Sequence, residues 1–200
     1  MTPLYQVNNC TASGTYPYQC SGTASFIIGD KITSAAKVRI RGTGTESDVQ
    51  WISTNPFKII GHIDAITAPA AGAVWNVGDT TKQIKWTSTG TITDVKIEYK
   101  TSAAGVWVDP AIEADHGGHT AGNNTYDWTA GIPNVKTNDA YIKISDVNYP
   151  EVSLVSPAFN ILPVITVGGA ASSPTSDMQV QVGMDHPNLI KWTYTGTTVS

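Results

Sequence analysis

"AYIKISD", residues 140–146, alternates side chains so that Ala140, Ile142 and Ile144 fall on one side of an extended chain and Tyr141, Lys143 and Ser145 on the other. A period of two marks a β-strand with one buried face, because successive strand side chains point to opposite faces. "AKVRIRG", residues 36–42, repeats the arrangement, with Val38 and Ile40 set between Lys37, Arg39 and Arg41. Around Lys85, Ile84 and Trp86 do the same. In "VKIEYK", residues 95–100, Val95, Ile97 and Tyr99 are expected to enter a core while Lys96, Glu98 and Lys100 face solvent. Such charges mark the outer faces of half-buried strands and discourage edge-to-edge aggregation.

The two seven-residue stretches belong to a longer self-similarity. "FKI" at Phe57 matches "FNI" at Phe159, and "QIKWTSTGT" places Trp86 where "LIKWTYTGT" places Trp192. The period is about 100 residues, an immunoglobulin-like length. Within residues 63–162, short alternating runs recur near Ile63–Ile66, Gln83–Trp86, Val95–Tyr99, Val106–Val108, Thr125–Trp128, Tyr141–Ser145 and Ala158–Ile161. Gly and Pro punctuate them, and no helical period competes. The segment 163–200 matches only the first strands of a copy, with Ile190 and Trp192 in place of Ile84 and Trp86. The segment 1–62 matches the remaining strands of a copy, with Leu4, Tyr5 and Val7 of "PLYQV" as the missing middle strand. The expected fold is therefore all-β: tandem immunoglobulin-like β-sandwiches, one complete (63–162) and one split between the chain ends (1–62 and 163–200).

Composition narrows the function classes. Of 200 residues, 40% are hydrophobic and only 14% charged, with a formal net charge of −4 and basic residues scattered singly. That leaves no electrostatic footprint for nucleic acid. No run approaches the roughly 18–20 apolar residues of a membrane-spanning helix. The first residues lack the basic-then-apolar pattern of a signal peptide, so any export signal is expected outside this chain. Cys10 and Cys20 flank a Gly/Tyr/Pro turn region and either form a disulfide, which fits an oxidising compartment, or remain two thiols. Asn9 and Asn123 sit in N-x-Thr acceptor patterns, common by chance in such a composition.

The stretch "ITAPAAGAVWNVGDTTKQIKWTSTGTITDVKIEYK" (66–100), with "YDWTAGIPNVKTNDAYIKISDVNYPEVSLVSPAFNI" (126–161), resembles an immunoglobulin-like repeat family of bacterial surface proteins. Its relatives include the Ser/Thr-rich, often GPI-anchored domain of yeast cell-wall synthesis proteins. Pro69, Gly72, Trp75, Gly78, Trp86, Gly90, Tyr126, Trp128, Ser156 and Phe159 carry the resemblance. It covers residues 63–162 well, the tail moderately and the head weakly. The tail has Met178 or Val180 where Trp75 would stand, and the head has Ile28 in place of Trp128. The resemblance implies tandem β-sandwiches on extracellular or cell-surface proteins and carries over no catalytic residue.

Chemistry-bearing clusters are sparse. "EADHGGHTAGNN" gathers Glu113, Asp115, His116 and His119 in a Gly-rich connection, read as a solvated loop in preference to a metal site because nothing rigid fixes a geometry. Asp79, Asp139, Asp146 and Glu151 lack the spacing of a calcium loop. No nucleophile-elbow pattern occurs. The expectation is a non-enzymatic chain without metal or cofactor. Trp75, Trp86, Trp128 and Trp192 fall at core positions, whereas Trp107, Trp51 and Tyr149 are candidate platforms for a sugar ring. Expected partners are copies of itself or adjacent repeats of the same polypeptide, assembling head-to-tail as a fibre or long array. An adhesin or carbohydrate-binding module that takes surface glycans is the alternative.

Overall fold

The computed structural model describes residues 27–42, 48–108, 112–167, 179, 181–184 and 192–196, with Ala114 and Asp115 by backbone alone. Leu4, Tyr5, Val7, Cys10, Cys20 and Ile190 lie outside the described residues, as do Asn9, Met178 and Val180. Every regular element among the described residues is a strand.

The first four strands make two ribbons. β1 (Thr33–Ala36) pairs antiparallel with β4 (Phe57–Ile59), and β2 (Arg39–Arg41) with β3 (Gln50–Ile52). Nine strands follow: β5 (His62–Ala68), β6 (Val74–Asn76), β7 (Gln83–Thr89), β8 (Val95–Lys100), β9 (Glu113–His116), β10 (Gly122–Asp127), β11 (Thr137–Asp146), β12 (Ser153–Val155) and β13 (Phe159–Leu162). They form a three-stranded sheet in the order β10-β7-β5 and a six-stranded sheet in the order β6-β13-β11-β8-β9, with β12 also on β11. β14 (Val164–Val167) and β15 (Trp192–Thr195) close the chain as a further ribbon. The molecule is thus all-β, built of several small sheets, none of them closed on itself among the described residues.

One hydrophobic core joins the two larger sheets. Ile63, Ile66, Ile84 and Trp86 enter it from the three-stranded sheet; Trp75, Val95, Ile97, Ala140, Ile142, Ile144, Phe159 and Ile161 enter it from the six-stranded one. The alternation of β11 explains its half: Ala140, Ile142 and Ile144 are fully buried while Tyr141 and Lys143 between them stay partly open. Trp75 lies 5.0 Å from Phe159 and 6.0 Å, edge-on, from Trp128, ring contacts that add to simple burial. After β7 the chain turns at Gly90, whose φ of +79° suits a residue without Cβ.

Three expectations are corrected. Val106–Val108 is not a strand, keeping one ladder-like bond from Val108 N–H to Tyr99 O at 2.9 Å. The edge of β8 pairs instead with β9, so the charged segment read as a loop is a strand held by backbone bonds that its polarity does not reveal. Glu98, expected in solvent, is only 8% exposed, because Lys96 and Lys143 fold over it.

Candidate functional site

The sequence repeat reappears as repeated geometry. Within residues 63–162, the stretch expected to be the complete unit, β11 pairs with β13 through Thr137–Ile161 and Ala140–Phe159, with an irregularity between the two. In the head, β1 pairs with β4 through the equivalent Thr33–Ile59 and Ala36–Phe57, with the same irregularity. β11 meets β12 at Lys143–Val155, Ile144–Leu154 and Ser145–Ser153; β2 meets β3 at Arg39–Ile52, Ile40–Trp51 and Arg41–Gln50. The corner before Pro157 matches too. Ser156 N–H donates to Ile142 O at 2.8 Å and the Ser156 hydroxyl accepts from Ile142 N–H at 2.9 Å. Ser53 makes the same two bonds to Val38, at 2.8 and 3.1 Å. A one-residue slip would put every side chain on the wrong face, so register shared over two sheets fixes which head residues stand for which core residues.

The tail follows the first strands in the same way. β14 and β15 pair at Val167–Trp192, Thr166–Thr193 and Ile165–Tyr194, where β5 and β7 pair at Ile66–Trp86, Ala65–Thr87 and Ile63–Ser88. The complete unit has an extra bulge at Asp64.

What differs is cover. Trp86 is 1% exposed and its counterpart Trp192 is 63% exposed. Ile144 and Phe159 are fully buried, whereas Ile40 and Phe57 are exposed. Ile165, Val167 and Trp51 are exposed as well. Each ribbon thus presents an apolar face that the complete unit would put inside. Two-stranded ribbons are marginal by themselves, and concentrated apolar exposure marks an interaction surface. Trp192, expected at a core position, is thus exposed, and Ile165 and Val167 were not singled out in the sequence although the alternation of "VITV" carried the signal.

The head is tied to the complete unit by polar contacts. Thr91 donates from its N–H and hydroxyl to the two oxygens of Asp30, at 2.9 and 2.6 Å, and these bonds hold the Asp30 carboxyl below the usual carboxylate range. Lys58 reaches Glu151 Oε1 at 3.0 Å and lies 5.6 Å over the ring of Tyr149.

A second surface occupies the outer side of β8, β11 and β12. Lys96 Nζ sits 2.8 Å and Lys143 Nζ 2.6 Å from the two oxygens of Glu98. Burial by itself would raise the Glu98 carboxyl, but the bonds from Lys143 and Lys96 outweigh it and hold the group below its ordinary value. Beside the trio, an open depression of about 350 Å³ is lined also by Ser145, Asp146 and Ser153. Lys143 and Lys100 stand 4.7 and 5.0 Å over the Trp107 ring. The three candidate platforms are therefore set apart: Trp107 beneath lysines on this face, Tyr149 packed against the core under Lys58, and Trp51 on the β2–β3 ribbon.

His119 is 7% exposed, its ring 4.7 Å edge-on from Trp86 and 4.8 Å from His116, and its buried Nε2 has no hydrogen-bond partner. Burial, then the neighbouring His116, pushes its pKa down. Among the described residues no three His, Cys, Asp or Glu side chains come together as a metal site, and no helix is long and apolar enough to cross a membrane. Asn123 is exposed on β10.

No family model, curated protein or solved structure compared with this chain matches it.

Proposed function

We propose that this chain is a structural repeat module of an extracellular or cell-surface protein, whose immunoglobulin-like β-sandwiches assemble head-to-tail into a fibre or long tandem array. In this reading the three- and six-stranded sheets are the two layers of one complete sandwich, residues 63–162. Residues 1–62 and 163–200 are the later and earlier parts of a second sandwich, completed by a neighbouring copy or repeat. One observation carries it: the same strand pairings occur twice in the same register, once over a buried core and once with the equivalents of core residues, Ile40 and Trp192 above all, exposed. The contact joins unlike surfaces, and a head-to-tail contact that does not close propagates. Like other fibre modules, it needs no catalytic residue, metal or cofactor.

The test is a fusion of two copies, Ser200 to Met1, read by amide hydrogen exchange. At the joint, the amides of 192–195 and 39–41 are expected to become as protected as those of 86–89 and 143–145. Fast exchange there in the fusion would overturn the proposal.

The depression beside Glu98, together with Trp107, favours a second reading, a glycan-binding module of a larger surface protein. Glycan-array binding that is lost in Trp107→Ala would support it, and no binding above that control would remove it.

A further inference from the structure

We infer that the outer edge of β4 in one copy receives, as an added strand, the segment carrying Gln179, Gln181 and Val182 of a second copy. The two run parallel in fixed register, Gln179 beside Lys58 and Gln181 beside Ile60. The inference rests on the completion reading above and names the edges that join.

The complete unit supplies the template. There β6 lies parallel on β13, with Val74 beside Asn160, Trp75 beside Ile161 and Asn76 beside Leu162. Asn160 N–H donates to Ala73 O at 2.8 Å, and Val77 N–H donates to Leu162 O at 3.0 Å. The turn that ends β6 has Gly78 at φ +77° and a bond from Asp79 N–H to Asn76 O at 3.1 Å. The tail repeats that turn: Gly183 has φ +81°, and Met184 N–H donates to Gln181 O at 3.3 Å. The turn aligns Gln179, Gln181 and Val182 with Val74, Asn76 and Val77. Val77 is 7% exposed, and Val182 is wholly exposed.

The receiving edge is equally defined. β4 stands where β13 stands, because both make the same two pairs with the strand beside them. β13 has neighbours on both edges, β11 and β6; β4 has only β1 among the described residues. By equivalence with Asn160, the Lys58 N–H faces away from β1. Parallel addition of a strand to such an edge recovers main-chain bonds that the sheet otherwise leaves to water.

The partner is another copy because of where each end stands. Within one chain the two edges do not meet: among the described residues β4 pairs only with β1, and Val182 is wholly exposed. In the completion reading a chain's own head precedes the complete unit and its tail follows it, so the head that meets the tail belongs to the next copy.

The test places photoreactive benzoylphenylalanine at Gln179 of an unlabelled chain and mixes it with ¹⁵N-labelled chain lacking the substitution. After irradiation, cross-links are expected in the labelled peptide that contains residues 57–60. Lys58→Pro, which deletes the edge N–H, should cut the cross-link yield at least about ten-fold, as loss of an edge bond and its register predicts. Lys58→Ala, which keeps the N–H and loses the Glu151 contact, should cross-link like the parent. The thermal midpoint of the complete unit should be the same in all three. Assembly with cross-links elsewhere, or with Lys58→Pro and Lys58→Ala behaving alike, would overturn the register while leaving completion standing. Absence of assembly, or cross-links confined to one copy, would overturn both.

Discussion

Trp86 and Trp192 are the same residue in two circumstances, and truncating each separates packing from exposure. Trp86 is held in the core against His119, so Trp86→Ala should destabilise the complete unit by about 3–5 kcal/mol. Trp192→Ala should leave the midpoint of that unit unchanged in dilute solution and weaken association, both measurable by thermal melting and sedimentation. His119 adds a pH dependence with a definite sign. Its folded pKa is depressed below the ordinary 6.5, so below about pH 6.5 the unfolded chain takes up a proton that the folded chain refuses. Stability then falls with pH, at up to about 1.4 kcal/mol per pH unit from this group. Glu98 acts later in the same direction: its folded pKa is depressed below 4.5, so its contribution is present above pH 4.5 and lost as pH falls through the folded value. Melting curves from pH 7.5 to 3 should show the first loss removed in His119→Phe and the second in Glu98→Gln. A His119→Phe midpoint that declines from pH 6.5 as the parent does would contradict the assignment.

At the scale of elements, the corner serine shows how a short motif fixes a register. Ser156 is 4% exposed and its hydroxyl both accepts from Ile142 N–H and donates to Pro157 O at 2.9 Å. Ser156→Ala leaves a buried N–H and a carbonyl to find other partners, an expected cost of about 1–3 kcal/mol by denaturant unfolding. Ser53→Ala, at an exposed corner with the same bond pattern, should cost little until the ribbon is covered. The elements readable in the sequence were those whose side chains alternate cleanly, such as β7, β8, β11 and β13, and the repeat read from them is repeated in the strand pairing. β9 was not readable, since Glu113 and His116 carry no apolar alternation and the strand exists through its backbone pairing with β8. The hydrophobic run Val106-Trp107-Val108 competed for that edge and lost it. Burial of Glu98 was hidden for a related reason: alternation assigns a face, but cover on that face comes from Lys143 of β11, far away in sequence. Of the head and tail, the stretches around Ile40, Phe57 and Trp192 were legible as strands, yet their exposure was not, because sequence records which side chains suit a core and not whether a core surrounds them.

At the scale of the whole molecule, the proposed head-to-tail assembly would join two different surfaces, and that difference would govern how it can stop. Symmetric pairing would join like to like and end at two copies. A tail surface of Ile165, Val167 and Trp192 meeting a head surface of Ile40, Trp51 and Phe57 leaves each pair of chains with one free end of each kind. Under the proposal, chain growth would be limited only by concentration, and a copy lacking one end would become a terminator. A truncated chain of residues 1–163 keeps the head, and one of residues 61–200 keeps the tail; each retains the strands of the complete unit and its core. Neither should associate with itself at any concentration reached by sedimentation equilibrium. Mixed together, they should form a 1:1 complex and nothing larger, and either one added to the full chain should shorten its oligomers in proportion to the amount added. Self-association of one truncated chain would mean that like surfaces pair, and the head-to-tail arrangement would then give way to a closed dimer.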